Sequence, residues 1–283
     1  MAENIPIVMT GTSSSKKGEP IIRVIDLHKR FGDHHVLKGI TFDILRGESF
    51  VIMGGSGCGK STLLKQMIGA IPPTSGQILL DGDDITQISE NPREMDRVRR
   101  KFGILFQSGA LLNSLSVGQN VALPIKQHTE LDPTTIEIMV KLKLEQVGLR
   151  DAEDRLPDQI SGGMKKRAGT ARAIALDPKI VFFDEPSAGL DPISTTAIDE
   201  LIRDMQRNLG ITCVTVTHVI ESVDRIADRI IMLDAGNVVA LGTKEEIWKS
   251  TDPLVKQFIT GSTQGPVGMR RAKKDFFEDL MSV

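Results

Sequence analysis

A glycine-rich turn between an apolar run and a helix-forming segment constrains this chain more than any other feature. Residues 54–61 read Gly-Gly-Ser-Gly-Cys-Gly-Lys-Ser, which fits the spacing G-x-x-x-x-G-K-S. The apolar run 49–53 before the turn predicts a buried strand, and residues 61–70 after it predict a helix. Strand, loop and helix in this order predict the start of a layered α/β sheet.

The turn also predicts a binding site for phosphate, and we call residues 54–61 the phosphate loop. Glycines let successive backbone N–H groups point at phosphate oxygens, and the following helix adds its positive N-terminal end. Lys60 then supplies a charge to the β- and γ-phosphates, and the Ser61 hydroxyl is a ligand for Mg²⁺. Because Cys58 lies within the loop, thiol alkylation is expected to inhibit and ATP to protect. The candidate ATP-binding residues of this segment are Gly54, Gly55, Ser56, Gly57, Cys58, Gly59, Lys60, Ser61 and Thr62.

Two acidic residues follow a second apolar run. Residues 180–183 read Ile-Val-Phe-Phe, which predicts a buried strand, and Asp184 and Glu185 come directly after it. Asp184 is placed where a Walker-B aspartate holds Mg²⁺ through water. Glu185 is placed to polarise an attacking water as a general base. Two surface acids after a core strand are common, but the phosphate loop upstream favours the catalytic interpretation.

A second glycine pair precedes a predicted helix over about residues 165–175. Residues 160–164 read Ile-Ser-Gly-Gly-Met, in which Ser161 is a good N-cap. Gly162 and Gly163 expose backbone N–H groups at the positive end of this helix. Taken alone, the pattern predicts only a capped helix.

Residues 160–164 resemble the signature loop of ABC ATPases, which is usually Leu-Ser-Gly-Gly-Gln. Ile160 and Met164 depart from that pattern, whereas the serine and glycines that would touch phosphate are kept. The resemblance runs in motif order from about residue 22 to 258. It implies an α/β fold of the P-loop NTPase type, with an ABC core sheet, an antiparallel β subdomain and an inserted helical subdomain.

The same resemblance implies roles for four further residues. Phe31 is similar to the aromatic that stacks on adenine, with a core phenylalanine as the alternative. Gln107 resembles the Q-loop glutamine that reaches Mg²⁺, and His218 resembles the switch histidine that contacts the γ-phosphate. Taken alone, each could equally be a structural residue at the end of a strand. Asp191 closes residues 188–191, which resemble the D-loop that crosses the dimer interface.

In this family the signature loop of one subunit faces the phosphate loop of the other, which implies a homodimer holding ATP and Mg²⁺ between two chains. Neither protomer would then own a complete nucleotide pocket. The implied catalytic residues are Glu185, His218 and Gln107, and the implied Mg²⁺ ligands are Ser61, Gln107 and Asp184. The implied dimer-interface residues are Ser161, Gly162, Gly163 and Asp191.

The chain divides into a core and two distinctive ends. Residues 1–20 predict a disordered leader, residues 21–262 the ABC ATPase domain, and residues about 108–165 its helical subdomain. Residues 263–283 predict a tail with an apolar stripe, which either docks on another subunit or is a frayed terminus. The stripe consists of Phe276, Phe277, Leu280 and Met281.

Composition narrows the choice of partners. The 35 basic and 37 acidic side chains give a formal net charge of −2, so no global basic field favours nucleic acid. Two distant cysteines indicate a reducing cytoplasm rather than a disulfide framework. No window approaches the roughly 20 apolar residues that span a bilayer. If the chain works at a membrane, other subunits therefore hold it there, and the family resemblance implies the cytoplasmic face of the inner membrane.

One cassette without a heptad arm or cysteine cluster favours a transporter subunit. Residues 106–129, 258–261 and 265–267 resemble the ATPase subunits of Mce-linked phospholipid transporters of Gram-negative bacteria. This implies phospholipid transport between the inner and outer membranes, with permease subunits, an Mce-type lipid-binding subunit and a small accessory subunit as partners. The alternative is a soluble, non-transport ABC ATPase acting on nucleic acid. A GTPase is set aside because the Asn-Lys-x-Asp guanine motif is missing.

Overall fold

The computed structural model describes residues 18–88 and 91–266. The predicted leader therefore lies almost entirely outside the described residues. The apolar stripe of the tail lies wholly outside them. In chain order the strands are β1 (Pro20–Phe31), β2 (His34–Leu45), β3 (Ser49–Gly54), β4 (Ser75–Leu80), β5 (Asp83–Asp84), β6 (Phe102–Leu105), β7 (Ile180–Asp184), β8 (Thr212–Val216), β9 (Arg229–Asp234) and β10 (Asn237–Thr243).

The α-helices, in the same order, are α1 (Lys60–Met67), α2 (Ile85–Ile88), α3 (Pro92–Arg99), α4 (Val117–His128), α5 (Pro133–Gln146), α6 (Gly162–Ala173), α7 (Pro192–Leu209), α8 (Ile220–Ile226), α9 (Lys244–Trp248) and α10 (Pro253–Thr260). Two short 3₁₀ turns, Arg150–Ala152 and Pro157–Gln159, precede α6. Among the described residues, no helix is both long enough and apolar enough to cross a bilayer.

A six-stranded sheet in the order β10-β9-β3-β8-β7-β6 forms the centre of the fold. Its strands from β9 to β6 are parallel, and β10 joins the edge antiparallel to β9. Every residue of β3 and β8 is buried, as expected for a parallel sheet covered on both faces. Successive residues of β3 face opposite layers, so Phe50 and Ile52 join one core cluster while Val51 and Met53 join the other. The carboxyl ends of β3, β7 and β8 therefore lie side by side at one edge.

A second sheet is antiparallel, in the order β2-β1-β4-β5, and shares a core with the parallel sheet and α1. Apolar and polar residues alternate over residues 40–45, which predicts a half-buried antiparallel strand. In β2, Ile40, Phe42 and Ile44 are indeed buried between exposed Thr41 and Asp43. The predicted α/β fold, with a P-loop core sheet and an antiparallel β subdomain, is confirmed. Strand β1 begins at Pro20, so the end of the predicted leader belongs to this sheet.

The region before α6 is helical, as predicted. Asp132 followed by Pro133 predicts the start of a helix, and Gly148 predicts its end. Asp132 indeed caps α5 by accepting the backbone N–H groups of Thr134 and Thr135, and Gly148 takes a left-handed φ of 64° beyond its end. Helix α5 turns Ile136, Val140 and Leu144 inward, and these pack with α4 and α6 in a third core cluster. Helix α6 contacts both the other helices and β6, so it joins this helical cluster to the sheet.

Two helices begin three residues earlier than predicted because the capping residues set their ends. Helix α6 starts at Gly162 rather than about 165, since Ser161 Oγ accepts the N–H of Met164. The sequence pattern predicts a helix over residues 195–209 that Gly210 ends, but helix α7 starts at Pro192, since Asp191 accepts the N–H groups of Ile193 and Ser194. Strand β10 was not predicted, because its half-exposed residues show no buried run.

Candidate nucleotide-binding site

The phosphate loop joins the end of β3 to the start of α1, as predicted. Two of its glycines have backbone conformations that side chains rarely adopt. Gly54 has φ of 148°, and a Cβ there would lie 2.2 Å from the Leu233 carbonyl oxygen. Gly59, at the N-cap of α1, has φ of 111°, and its Cβ would lie 2.7 Å from Leu37 Cδ2. Both positions therefore require glycine, for strain and for space.

Lys60 is folded back over this loop. Its side chain is 8% exposed, and its ammonium donates hydrogen bonds of 2.9 Å to the carbonyl oxygens of Gly54 and Gly55. The charge is thus held where the loop curls, while Ser56, Gly57 and Ser61 remain exposed beside it. Thr62 is half-buried one residue further along α1. Exposed loop groups around an anchored cation form a receptor for an anion.

The Cys58 sulfur is buried, with the Lys60 ammonium 4.0 Å away. The Cys58 side chain is 4% exposed and packs in the core cluster beneath the antiparallel sheet. Burial raises the pKa of the Cys58 thiol, and the nearby Lys60 ammonium only partly offsets this. Burial therefore argues against the expectation of an alkylation-sensitive Cys58, because the sulfur packs in the core and the backbone N–H and C=O groups of this residue pair with Gly55 and Gly236.

We expect iodoacetamide at neutral pH to label native Cys58 and Cys213 slowly, with or without ATP, and to label both rapidly after unfolding. Both thiols are buried, and burial raises the pKa of each, so less of either is thiolate, the reactive form. Mass spectrometry of timed samples measures the two rates. Rapid native labelling of Cys58 that ATP suppresses would contradict this expectation.

The two predicted carboxylates lie beside the loop at the end of β7. Glu185 has an unusual φ of 46°, and its backbone N–H donates to the Val216 carbonyl oxygen at 2.9 Å. Its Oε1 is 2.9 Å from His218 Nδ1, while Oε2 is buried with no hydrogen-bond partner among the described residues. Burial raises the pKa of Asp184, and repulsion from Glu185 adds to the effect.

These residues line adjoining spaces. A cavity of about 970 Å³ brings Lys60, Ser61, Gln107, Glu185 and His218 together with most of the phosphate loop. A neighbouring cleft of about 520 Å³ contains Asp184 and Gln107. The structure thus gathers the residues predicted for phosphate, Mg²⁺ and water at one edge of the parallel sheet, where α/β proteins bind ligands.

The remaining predicted residues lie elsewhere in the protomer. Ser161, Gly162 and Gly163 line neither space, and Ser161 is exposed at the start of α6. Phe31 is 53% exposed with the Lys29 ammonium 5.0 Å from its ring centre, which excludes a core role. Asp191 is exposed and caps α7. These groups are available to a ligand or to a second chain.

A family model described as ABC transporter matches residues 37–188. The MlaF protein of Haemophilus influenzae, named as the ATP-binding protein of an intermembrane phospholipid transport system, is 42% identical over 260 residues, which is 92% of this chain and 98% of that protein. The chain belongs to the ABC transporter family. As an ABC ATPase it binds and hydrolyses ATP, so the predicted ligand and the predicted activity are confirmed. The predicted resemblance to phospholipid-transporter ATPases is confirmed as well.

Another relative and two solved structures of other proteins are also similar to this ABC ATPase. The mkl protein of Mycobacterium leprae, named as a probable ribonucleotide transport ATP-binding protein, is 41% identical over 90% of this chain and 73% of its own length. The cbiO1 structure from Clostridium perfringens, part of the ABC transporter complex cbiONQ, has a TM-score of 0.76 at 33% identity, covering 84% of this chain and 94% of that one. A dimeric ATP-binding cassette, MJ0796, bound to ADP and phosphate, has a TM-score of 0.72 at 29% identity, covering 78% and 98%.

The donor set of this ABC ATPase fits a nucleotide and a divalent cation bound together. Within residues 18–88 and 91–266, no three His, Cys, Asp or Glu side chains form a group able to hold a metal ion. Mg²⁺, however, is commonly bound by one or two carboxylates together with substrate phosphates. Glu185 Oε2 has no hydrogen-bond partner among the described residues, and burial raises the pKa of Asp184 although Lys65, Lys166 and Lys60 partly oppose the shift, so this pair of carboxylates fits a divalent cation.

Sequence reasoning missed one buried cation near the ABC ATPase site. Lys166 is 4% exposed, and its ammonium donates to the carbonyl oxygens of Gln107 and Glu185. Burial lowers the pKa of Lys166, and the charges of Asp184 and Glu185 oppose the shift. The run of basic residues 165–167 is typical of a solvated helix face, so no local signal separates this lysine from its neighbours.

Proposed function

We propose that this chain is the ATP-hydrolysing subunit of a transporter that moves phospholipid between the inner and outer membranes. The observation that carries the proposal is the match to the phospholipid-transport ATPase of Haemophilus influenzae over 98% of that protein's length. The relatives named for ribonucleotide transport are nearly as similar, but this chain covers only 73% of each. Ribonucleotide is therefore the competing cargo.

ATP would bind with its β- and γ-phosphates on the phosphate loop. Lys60 is already held in the loop by two carbonyl oxygens, so its charge needs little reorganisation to meet the phosphates. The exposed backbone of residues 55–57 supplies N–H donors, and the start of α1 adds its positive end. Phe31, exposed near the end of β1, offers a face for adenine to stack on.

Ser61, Gln107 and Asp184 would hold Mg²⁺ between the phosphate loop and the end of β7. When bound, the ion neutralises phosphate charge during the transfer. The Ser61 hydroxyl and the Asp184 carboxylate project from the two flanking elements, and Gln107 borders both spaces of the site. Three oxygen donors of this kind suit a hard cation.

Glu185 would accept the proton of the attacking water through its carboxylate, because this residue lines the cavity. Its Oε1 is engaged with His218, which fixes the direction of the carboxylate and holds the imidazole beside the expected γ-phosphate, while Oε2 is buried with no hydrogen-bond partner among the described residues. Glu185 has a left-handed backbone and lies in the lining of the cavity. General bases in such positions accelerate a reaction by about 10²- to 10⁴-fold.

A second copy of the chain would complete each site. Ser161, Gly162 and Gly163 lie outside the cavity of their own protomer, exposed or half-buried at the positive end of α6. In a homodimer they would face the partner's triphosphate, with Asp191 at the crossing point. ATP would then hold the two chains together, and hydrolysis would release them.

The remaining partners would be membrane proteins. A groove of about 540 Å³ between the helical region and the sheet combines apolar Phe106 and Leu123 with the cations Arg99 and Arg172. This composition suits an amphipathic permease helix that carries an acidic residue. An Mce-type lipid-binding subunit and a small accessory subunit would complete a complex at the cytoplasmic face of the inner membrane.

We expect the tagged chain, purified from membranes in mild detergent, to bring with it an integral permease and an Mce-type subunit. The reconstituted complex should move fluorescent phospholipid between vesicles only with ATP, and Lys60→Ala should remove this transfer. Movement of ribonucleotide instead of lipid would support the other cargo. ATP turnover stimulated by DNA or RNA, with steep salt dependence and no membrane subunit, would support the nucleic-acid alternative.

A further inference from the structure

Lys166 is a buried cation held by two carbonyl oxygens rather than by a carboxylate. It lies near the start of α6, and its ammonium donates to the backbone oxygens of Gln107 and Glu185, the latter at 3.1 Å. Burying an ammonium is costly unless it is well hydrogen-bonded. A shift of the Lys166 ammonium would therefore also move these two peptide groups, or break its hydrogen bonds to them.

Both peptide groups belong to the candidate catalytic machinery. Gln107 follows β6, and Glu185 follows β7 in a left-handed conformation that non-glycine residues rarely adopt. The Glu185 N–H is held by Val216, and its carbonyl oxygen is held by Lys166. Long-range contacts on both sides thus fix the backbone that aims the Glu185 carboxylate.

The helix that carries Lys166 also carries the signature loop. Ser161 is the N-cap of α6, five residues before Lys166, which is about 7.5 Å along a helix axis. A displacement of the start of α6 is transmitted along this distance because a hydrogen-bonded helix is stiff. One rigid element therefore touches Ser161 at its exposed end and the Gln107 and Glu185 carbonyls at its buried side.

We propose that Lys166 is a positioning residue that couples the two nucleotide sites of the dimer. This inference rests on the proposed division of each site between two chains. Ser161, Gly162 and Gly163 would bind the partner's ATP, and this binding would shift the start of α6. Through its hydrogen bonds, Lys166 would then shift the backbone of Gln107 and Glu185 in its own protomer. Lys166 itself donates to backbone oxygens and lines neither of the two spaces of the site.

The test measures ATP hydrolysis by the full-length chain with Mg²⁺ over a range of ATP concentrations. Lys166→Met should lower kcat by about 10- to 100-fold, as expected for a misplaced catalytic group, and leave KM for ATP within about twofold. The Hill coefficient should fall from its wild-type value toward 1. Lys166→Arg keeps the charge and several donors, so it should restore most of kcat and of the cooperativity.

Lys165→Met is the matched control. Lys165 carries the same charge on the preceding residue of α6, but it bonds to neither of the two carbonyl oxygens, so its replacement should leave kcat and the Hill coefficient unchanged. Melting temperature measures folding for each variant. If Lys166→Met does not fold, Lys166→Gln, which keeps a donor without the charge, should show the same pattern at smaller amplitude.

Two failures are distinguishable. A wild-type chain that hydrolyses ATP without cooperativity would contradict the divided site, and with it the proposed function of Ser161. A cooperative wild type whose folded Lys166 variants keep both kcat and the Hill coefficient would overturn the role of Lys166 alone. The role would also be overturned if Lys166→Met and Lys166→Arg lost kcat equally and each loss followed the decrease in melting temperature. That result would indicate only a structural role.

Discussion

Replacing Glu185 with glutamine is expected to stop ATP turnover and leave ATP binding intact. Glutamine has the shape of glutamate and can still pair with His218, which lies 2.9 Å from Oε1. It cannot accept a proton from water, so kcat should fall by about 10²- to 10⁴-fold. Because the triphosphate would then persist, dimers should accumulate with ATP and Mg²⁺. Phosphate release and light scattering after gel filtration measure the two effects.

Two controls sharpen this experiment. Glu221→Gln makes the same chemical change on α8, at an exposed residue near His218, and should leave turnover unchanged. Adding Ser161→Glu to the Glu185→Gln chain places a carboxylate where the partner's phosphates would lie, so dimers should no longer form. Normal hydrolysis by Glu185→Gln would contradict the general-base assignment. A dimer that tolerates Ser161→Glu would contradict the divided site.

Replacing Lys60 with alanine is expected to remove most of the affinity for ATP. The change deletes the one ammonium held within the phosphate loop, together with its bonds to Gly54 and Gly55. Charge-assisted hydrogen bonds contribute about 1.5 to 3 kcal/mol each, so losing one or two weakens binding by about 10- to 10⁴-fold. Titration with a fluorescent ATP analogue measures the change.

The outcome depends on the loop remaining folded, because Lys60 is buried and also supports it. Lys249→Ala removes an equal charge from an exposed site after α9 and should bind ATP as the wild type does. The melting temperature without nucleotide separates a collapsed loop from a lost contact. Unchanged affinity in a folded Lys60→Ala chain would show that the loop does not receive the triphosphate.

Local patterns predicted several elements of the fold and their ends. The alternation of Ile40, Phe42 and Ile44 predicted a half-buried strand, and Asp132 and Gly148 predicted both ends of α5. These signals succeed because burial on one face, helix capping and left-handed glycine each depend on a few neighbouring residues. The predicted starts of α6 and α7 lie three residues beyond the observed ones. Apolar spacing marks the first inward-facing residue of a helix, whereas the capping residues Ser161 and Asp191 set its first turn.

The sequence by itself determined that a phosphate loop would join a buried strand to a helix, because glycine, lysine and serine at that spacing carry their geometry locally. Only the tertiary structure decided that the Cys58 thiol faces the core, that His218 meets Glu185, and that Lys166 holds the Gln107 carbonyl. The last two contacts join residues 33 and 59 positions apart. Such pairs form when the order of strands in the sheet brings their ends together, and that order depends on how the whole core packs.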